Sequence, residues 1–221
     1  FNVSVTIFMG AMIVTLNETN LNEATDWLAE RDESMAFVLH QYGYPPLWAR
    51  EPGFSTLVHI ILEQQVSLAS ANAAFHRLRL VLNVIKPANF LTVSDGDLRS
   101  MGFSRQKTNY ARALAHAVLG GDFVFENLTQ LSDDAVRSEM KRLKGIGDWT
   151  ADIYLSECLL RPDILPKGDI AMQEAFKILK GLPKRPLHDD FVAKTQHWRP
   201  WRSVGTRMLW HYYLCEKSKR G

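Results

Sequence analysis

The sequence predicts an all-α fold of about ten short helices. Along most of the 221 residues, apolar side chains recur every three or four positions, as on one face of a helix. Serine or aspartate precedes most of these stretches, where its side chain can cap a helix. No convincing strand pattern follows residue 16.

The predicted helices follow one another with short breaks. Residues 21–42 form one or two helices that Gly43-Tyr44-Pro45-Pro46 ends. Ser94-Asp-Gly-Asp97 has the spacing of a capping box. The other stretches are 54–65, 67–84, 104–119, 132–145, 148–160, 169–179, 187–197 and 200–217, with Ser67, Ser104, Ser132, Asp148 and Asp169 as predicted caps.

Residues 1–16 are apolar, but no lysine or arginine precedes them, which is the wrong flank for a signal peptide. We interpret this segment as a tag, an incorrectly assigned start or a docked strand, and we assign it no function.

The composition is that of an ordinary globular protein, with 46% hydrophobic and 23% charged residues. It excludes disorder, collagen and a coiled coil. The two cysteines, Cys158 and Cys215, are too few for a disulfide scaffold, a thiolate zinc site or a four-cysteine iron–sulfur cluster. No apolar run has the roughly 20 residues of a membrane span. We therefore expect a cytoplasmic protein with no membrane partner.

Charge is distributed unevenly along the chain. Residues 1–63 contain eight acids and two bases, a net charge of −6, and residues 64–221 contain 16 acids and 24 bases, a net charge of +8. The later part therefore suggests a polyanionic partner. A solvated, lysine-rich surface would explain the same charges.

The segment Leu143-Lys-Gly-Ile-Gly-Asp-Trp-Thr150 lies between two predicted helices. A turn with two glycines can adopt positive φ and lets a ligand approach the backbone closely. Its amides and those of the next helix start can bind an anion such as a DNA phosphate. The alternative is a plain corner between helices with a glycine stop.

This segment resembles the hairpin of the helix-hairpin-helix DNA glycosylase superfamily, L-P-G-I/V-G-x-x-T-A, with Lys144 in place of the proline. The resemblance implies a helix-hairpin-helix at about residues 132–160. It also implies DNA contacts from Lys144, Gly145, Gly147 and Thr150. Hairpin carbonyls of the family often hold a monovalent cation, Na⁺ or K⁺, which here implies those of Lys141, Leu143 and Ile146.

In this superfamily an essential aspartate follows the hairpin by about twenty residues, and Asp169 matches it. The resemblance makes Asp169 the catalytic carboxylate, which would stabilise the positive charge that develops on deoxyribose and orient the attacking water. From the sequence alone, Asp169 is most simply a helix N-cap, and both roles are compatible.

Relatives that also cut the strand carry a lysine where this chain has Trp149. No Schiff base can form from a tryptophan, so the resemblance implies a monofunctional hydrolase. The chain also lacks the cysteine quartet of the endonuclease III branch.

The segment Trp198-Arg-Pro-Trp-Arg-Ser203, followed by Trp210, resembles the tail motif of the DNA-3-methyladenine glycosylase II branch. The resemblance implies a base pocket beside Asp169, lined by Trp149 and Trp210, whose faces would attract a cationic alkylated purine. Ile153 occupies a pocket position where that branch often has tyrosine. We expect Trp198 to lie in the core and leave Trp201 open, and we include Arg202 and Ser203 among the DNA contacts.

Ile60-Ile-Leu-Glu-Gln-Gln-Val-Ser67 resembles the family segment whose side chain fills the gap left by a flipped base. By this resemblance Gln65 is the plug, and Gln64 faces the pocket or a neighbouring base. Exposed glutamines at a helix end are the alternative. Arg105 and Lys107 are candidate phosphate contacts, although a solvated basic face would also explain them.

The resemblance implies two helical lobes with an active-site cleft between them: residues 17–64 with 184–221, and residues 65–183. We expect a monomeric glycosylase that needs no cofactor, works in the cytoplasm at the nucleoid, or in a nucleus, and releases alkylated purines such as 3-methyladenine from damaged double-stranded DNA. The alternatives are a glycosylase for other damaged bases, a non-catalytic DNA-binding module, and a helical scaffold for acidic proteins.

Overall fold

A computed structural model describes residues 5–8 and 11–219 of the chain. The regular secondary structure of the described residues is helical apart from one antiparallel pair of strands, β1 (Val5–Phe8) and β2 (Ala11–Val14), in which Val5 pairs with Val14. The all-α prediction is confirmed for the body of the protein. The strands lie in the segment left open by the sequence, of which residues 1–4, 9 and 10 lie outside the described residues.

The described residues form twelve α-helices and two 3₁₀ helices, which cover Phe125–Gln130 and Gln196–Trp198. The α-helices are α1 (Glu18–Ala29), α2 (Glu33–Tyr42), α3 (Phe54–Glu63), α4 (Leu68–Leu82), α5 (Pro87–Thr92), α6 (Asp95–Ser100), α7 (Arg105–Leu119), α8 (Asp133–Lys141), α9 (Asp148–Glu157), α10 (Ile170–Leu179), α11 (His188–Lys194) and α12 (Arg202–Ser218).

Capping side chains start the helices where the sequence predicts them. Ser67, Ser94, Ser104 and Ser132 each accept the amide three residues further on, at the starts of α4, α6, α7 and α8. The predicted cap at Asp148 is wrong. Asp148 is already helical, and the Ala151 amide donates to the Gly147 carbonyl, so Gly147 holds the cap position.

The first compact unit comprises Phe1–Ala49 and Leu155–Gly221. Helix α12 packs against α1, α2 and α10. Trp198 is fully buried against Phe176 and Phe191, which confirms its predicted core position, and Trp201 is partly buried beside the same core. A β-carbon on Gly205 would overlap the Trp198 ring, so this close packing depends on glycine.

The second unit comprises Arg50–Tyr154. Helix α3 packs against α4 and α7, and α7 packs against α5 and α6. Phe54, Phe90 and Phe103 are buried in this core, with Phe90 in ring contact with both of the others. The unit also contains α8, the hairpin turn and the first part of α9.

These boundaries differ from the predicted division into residues 17–64 with 184–221 and residues 65–183. Helix α3 belongs to the second unit because it packs against α4 and α7. Helix α10 belongs to the first because it packs against α12. Helical periodicity shows which face of a helix is buried, but not which helix covers it.

Within residues 5–8 and 11–219, no helix combines the length and apolar character that crossing a bilayer requires. Over the same residues, no three His, Cys, Asp or Glu side chains are grouped so that they could hold a metal ion.

Candidate functional site

Asp169 is the N-cap of α10, as the sequence predicts. Its Oδ1 accepts the Met172 amide at 2.8 Å, and the residue is 9% exposed. The preceding Gly168 has a φ of +80°, which turns the chain sharply into the cap. The cap therefore holds the carboxylate in a fixed orientation at the helix start, where the dipole favours negative charge.

Trp210, on α12, lies against this carboxylate. Its Nε1 donates to Asp169 Oδ1 at 3.2 Å, and the ring is partly buried. Because α10 packs against α12, residues from two motifs that are 41 positions apart meet at one point in the first unit. The structure thus brings together the carboxylate and the aromatic ring that the resemblance places beside each other.

Trp48 adjoins this pair and was missed by the sequence analysis. Its ring centroid lies 6.3 Å from that of Trp210, with the planes at 65°, and 6.4 Å from that of His211. Trp48 has a φ of +49°, a conformation that a bulky residue adopts only when its surroundings impose it. The sequence feature that could have identified Trp48 is a single tryptophan in the loop after Pro45-Pro46.

A buried arginine, Arg207, fixes the backbone next to Trp48. The guanidinium is fully buried in α12 and donates to the Leu47 carbonyl at 2.8 Å and to the Ser156 carbonyl at 2.6 Å. Burial lowers the pKa of Arg207 to about 10, against the opposing effect of Glu157, so the side chain remains charged at neutral pH. Sequence reasoning did not assign this residue a role.

The hairpin turn between α8 and α9 has the expected tight backbone. Gly145 has a φ of +84°, and a β-carbon there would overlap the Tyr110 ring. A β-carbon on Gly147 would meet nothing within 4 Å, so its backbone is open to a ligand. Lys144 is exposed beside the turn, and Lys141 Nζ is 2.6 Å from Asp148 Oδ1.

The carbonyls predicted to hold a cation belong to Lys141, Leu143 and Ile146. The Leu143 carbonyl also accepts the Ile146 amide at 3.2 Å, which leaves it a second lone pair. Carbonyl oxygens suit a hard monovalent cation, so the donor set fits such an ion.

Gln64 and Gln65 lie in the turn between α3 and α4. Gln64 Nε2 donates to the Gly145 carbonyl and to Thr150 Oγ1, both at 3.0 Å, so this side chain is bonded to the hairpin rather than turned to a base. Gln65 is exposed and has a φ of +59°. Its exposure and its uncommon conformation agree with a residue that projects from the surface.

Several other predicted contacts are corrected by burial. Ser203 is fully buried, and its hydroxyl donates to the Arg161 carbonyl at 2.6 Å. Thr150 is 2% exposed and accepts from Gln64, and Ile153 is 3% exposed. These side chains have almost no surface to offer to DNA or a base.

Two predicted cationic contacts are already engaged within the protein. Arg202 forms two hydrogen bonds with the Asp163 carboxylate, at 2.6 and 3.0 Å. Lys107 Nζ donates to the Leu62 carbonyl at 2.6 Å, and burial lowers the pKa of Lys107. The predicted phosphate role of Arg202 is therefore corrected, and that of Lys107, whose ammonium group keeps two further donors, stays a prediction. Arg105 is exposed in the first turn of α7, and Trp149 is half-buried in the first turn of α9, so their roles stay predictions.

Residues 58–200 match the model of the HhH-GPD superfamily of base excision DNA repair proteins. The chain therefore belongs to this superfamily, named for the helix-hairpin-helix. It is 27% identical over 200 residues to DNA-3-methyladenine glycosylase 1 of Schizosaccharomyces pombe, with 87% of each chain covered.

Solved structures with a similar fold also include 3-methyladenine glycosylases. The S. pombe 3-methyladenine DNA glycosylase in complex with abasic DNA has a TM-score of 0.78 and 25% identity, over 85% of this chain and 95% of that one. A DNA-3-methyladenine glycosidase from Bacillus halodurans has a TM-score of 0.72 and 27% identity, over 89% and 91%. The predicted superfamily and its class of function, a base excision repair glycosylase, are confirmed, and the relatives compared are named as 3-methyladenine glycosylases.

Proposed function

We propose that this protein binds damaged double-stranded DNA, flips an alkylated purine out of the helix, and hydrolyses its N-glycosidic bond with Asp169. The observation that carries the proposal is the hydrogen bond from Trp210 to Asp169, which joins an aromatic face to a fixed carboxylate. The S. pombe relative named as a 3-methyladenine glycosylase, whose structure includes abasic DNA, supports this substrate and this product.

The chemistry needs few groups. As the glycosidic bond breaks, positive charge develops on the deoxyribose, and the nearby Asp169 carboxylate stabilises it. The same carboxylate orients or deprotonates the water that attacks the sugar. Because an alkylated purine often carries positive charge, it is a good leaving group and is attracted to the electron-rich face of Trp210.

The product is an abasic site with the strand intact. An amine at the position of Trp149 would be needed to attack the sugar and cut the strand, as in the bifunctional relatives. Tryptophan cannot do so, and this supports a monofunctional enzyme.

DNA would be held chiefly by the second unit. The open Gly147 backbone, the exposed Lys144 and the start of α9 offer a phosphate site, and Arg105 offers a further cation. Gln65 would fill the gap left by the flipped base, since insertion offsets part of the few kcal/mol that flipping costs. In this proposal the enzyme is a monomer that needs no cofactor, acts at the nucleoid or in a nucleus, and holds Na⁺ or K⁺ at the hairpin carbonyls.

The test is incubation with methylated duplex DNA, followed by chromatography of the released bases and a gel for strand breaks before alkali treatment. We expect free 3-methyladenine, with breaks only after alkali. Release from duplexes containing deaminated or oxidised bases, but none from methylated DNA, would contradict the proposed substrate. Breaks without alkali would contradict the monofunctional mechanism.

A further inference from the structure

The turn between α3 and α4, residues 64–66, is attached to two other elements of the second unit. We propose that Gln64 and Lys107 are positioning residues that hold the Gln65 plug in register with the phosphate-binding hairpin. The inference rests on the proposed function, because it concerns how the plug enters DNA.

The Gln64 side chain forms the first attachment. Its amide nitrogen bonds to both sides of the hairpin: the Gly145 carbonyl in the turn and Thr150 Oγ1 in the first turn of α9, each at 3.0 Å. Gly145 is itself fixed by its positive φ and by contact with Tyr110. Movement of the hairpin is thereby transmitted to the residue next to the plug.

Lys107 forms the second attachment. Its Nζ donates at 2.6 Å to the Leu62 carbonyl, in the last turn of α3. Carbonyls in a last turn lack helical partners, and a cation there also interacts favourably with the helix dipole. Lys107 thus fixes the end of α3 directly before the turn.

Gln65, between these attachments and the start of α4, has a φ of +59°. A residue with a β-carbon holds this conformation only when its neighbours over-determine it. Loss of either attachment lets the turn sample other conformations, so insertion into DNA must then order it at a cost in entropy. Because the turn is rigid, binding of the hairpin to the DNA phosphates also places Gln65 in position for insertion.

The experiment compares the affinity of the full chain for two duplexes, one undamaged and one with a tetrahydrofuran abasic analogue. The ratio of the affinity for the abasic duplex to that for the undamaged duplex reports insertion of Gln65, because the side chain forms additional contacts only where the duplex has a gap. We expect Gln64→Leu to lower this ratio about three- to tenfold, the range for loss of a typical hydrogen bond. In a Gln65→Ala background the same change should alter the ratio by less than about twofold, because no plug remains to be positioned.

Equal effects of Gln64→Leu in both backgrounds, or no effect in either, would overturn the inference, as would a wild-type chain with no preference for the abasic duplex. If Gln64→Leu fails to fold, Thr150→Val removes one of the two acceptors of the Gln64 amide with little change of shape. We then expect a smaller decrease of the affinity ratio, which is again absent in the Gln65→Ala background. Excision from methylated DNA is scored separately. A chain that prefers the abasic duplex but releases no base would refute the proposed function and leave this inference standing.

Lys107 is distinguished from a phosphate contact by salt. Lys144→Met, at the exposed hairpin lysine, should reduce the slope of log affinity against log salt concentration by about one, as for a lost phosphate contact. Lys107→Met should leave that slope unchanged and lower the abasic-to-undamaged ratio. A slope change equal to that of Lys144→Met would overturn the positioning role of Lys107.

Discussion

The corner formed by Asp169, Trp210 and Trp48 in the first unit differs in construction from the hairpin and plug turn in the second. In the corner, a helix cap sets the position of the carboxylate proposed for chemistry, and a buried guanidinium fixes the backbone beside Trp48. In the second unit, the parts proposed to contact DNA are exposed, and the contacts that set their positions lie behind them. The difference teaches that a catalytic group must be held in a fixed position and shielded from water, whereas groups that bind DNA must be exposed on a rigid support.

The largest expected effect is at the corner. Asp169→Asn should reduce base release by about a thousandfold or more, because it removes the charge that stabilises the transition state. Asparagine caps a helix as well as aspartate does, so folding and affinity for an abasic duplex should be retained. Base release in single-turnover assays and duplex binding check this.

Asp190→Asn, at an exposed acid of α11, is the control and should leave base release within twofold of wild type. Activity of Asp169→Asn within tenfold of wild type would show that the corner is not the chemical centre.

The next prediction compares the contribution to stability of a buried arginine with that of a partly exposed one. Arg207→Met should lower the free energy of unfolding by about 3 kcal/mol, because the Leu47 and Ser156 carbonyls lose a charged donor. Arg202→Met, which removes a partly exposed pair with Asp163, should cost about 1 kcal/mol. Urea unfolding measures both. Equal decreases in the free energy of unfolding would show that a buried arginine in this unit contributes no more to stability than a partly exposed one.

The two hairpin glycines should separate stability from binding. Gly145→Ala should cost about 2 kcal/mol of unfolding free energy, because the methyl group meets Tyr110 and the backbone has positive φ. Gly147→Ala should change stability by less than about 1 kcal/mol, the size of a lost helix cap, and weaken duplex affinity, since its β-carbon projects into open space. Thermal melts and binding titrations check the pair, and unchanged DNA affinity in Gly147→Ala would argue against a phosphate at this turn.

The last prediction concerns the pH dependence of stability at Asp32, which lies in the first unit. Burial raises the pKa of Asp32, but hydrogen bonds from Lys180, Trp198 and His197 outweigh it and hold that pKa well below its usual value. The charged form is thus favoured in the folded state, so its stabilisation is full above the unfolded pKa of about 4 and is lost as the pH falls. Asp32→Asn keeps the cap of α2 but should cost about 1–2 kcal/mol at pH 7.

Urea unfolding of wild type and Asp32→Asn between pH 7 and pH 2 gives the measurement. The difference between the two free energies should begin to shrink below about pH 4 and should continue to narrow toward pH 2. A difference that stays constant with pH would mean that the charge of Asp32 does not contribute.

The sequence predicts best what depends on neighbouring residues. The caps at Ser67, Ser104 and Asp169 were predictable because a cap acts within three residues of its helix start. The family motifs likewise identified Asp169 and Trp210, although only the packing of α10 on α12 shows that they touch.

Roles that depend on distant partners could not be predicted in this way. Gln64 bonds to residues 81 and 86 positions away, and Lys107 to one 45 positions away, so neither bond leaves a local pattern. Arg202 and Ser203 belong to a specific motif, yet their polar atoms are used by the loop at residues 161–164. A motif identifies the residues that a fold needs, and it does not state whether the need is chemical or structural.

The position of Asp169 at a helix start has an evolutionary consequence. A single base change converts an aspartate codon to one for asparagine, and the helix would tolerate that change. A chain with asparagine at this position would therefore fold normally and present the same surface to DNA without the proposed chemistry, so an intact fold alone is no sign of activity at this position.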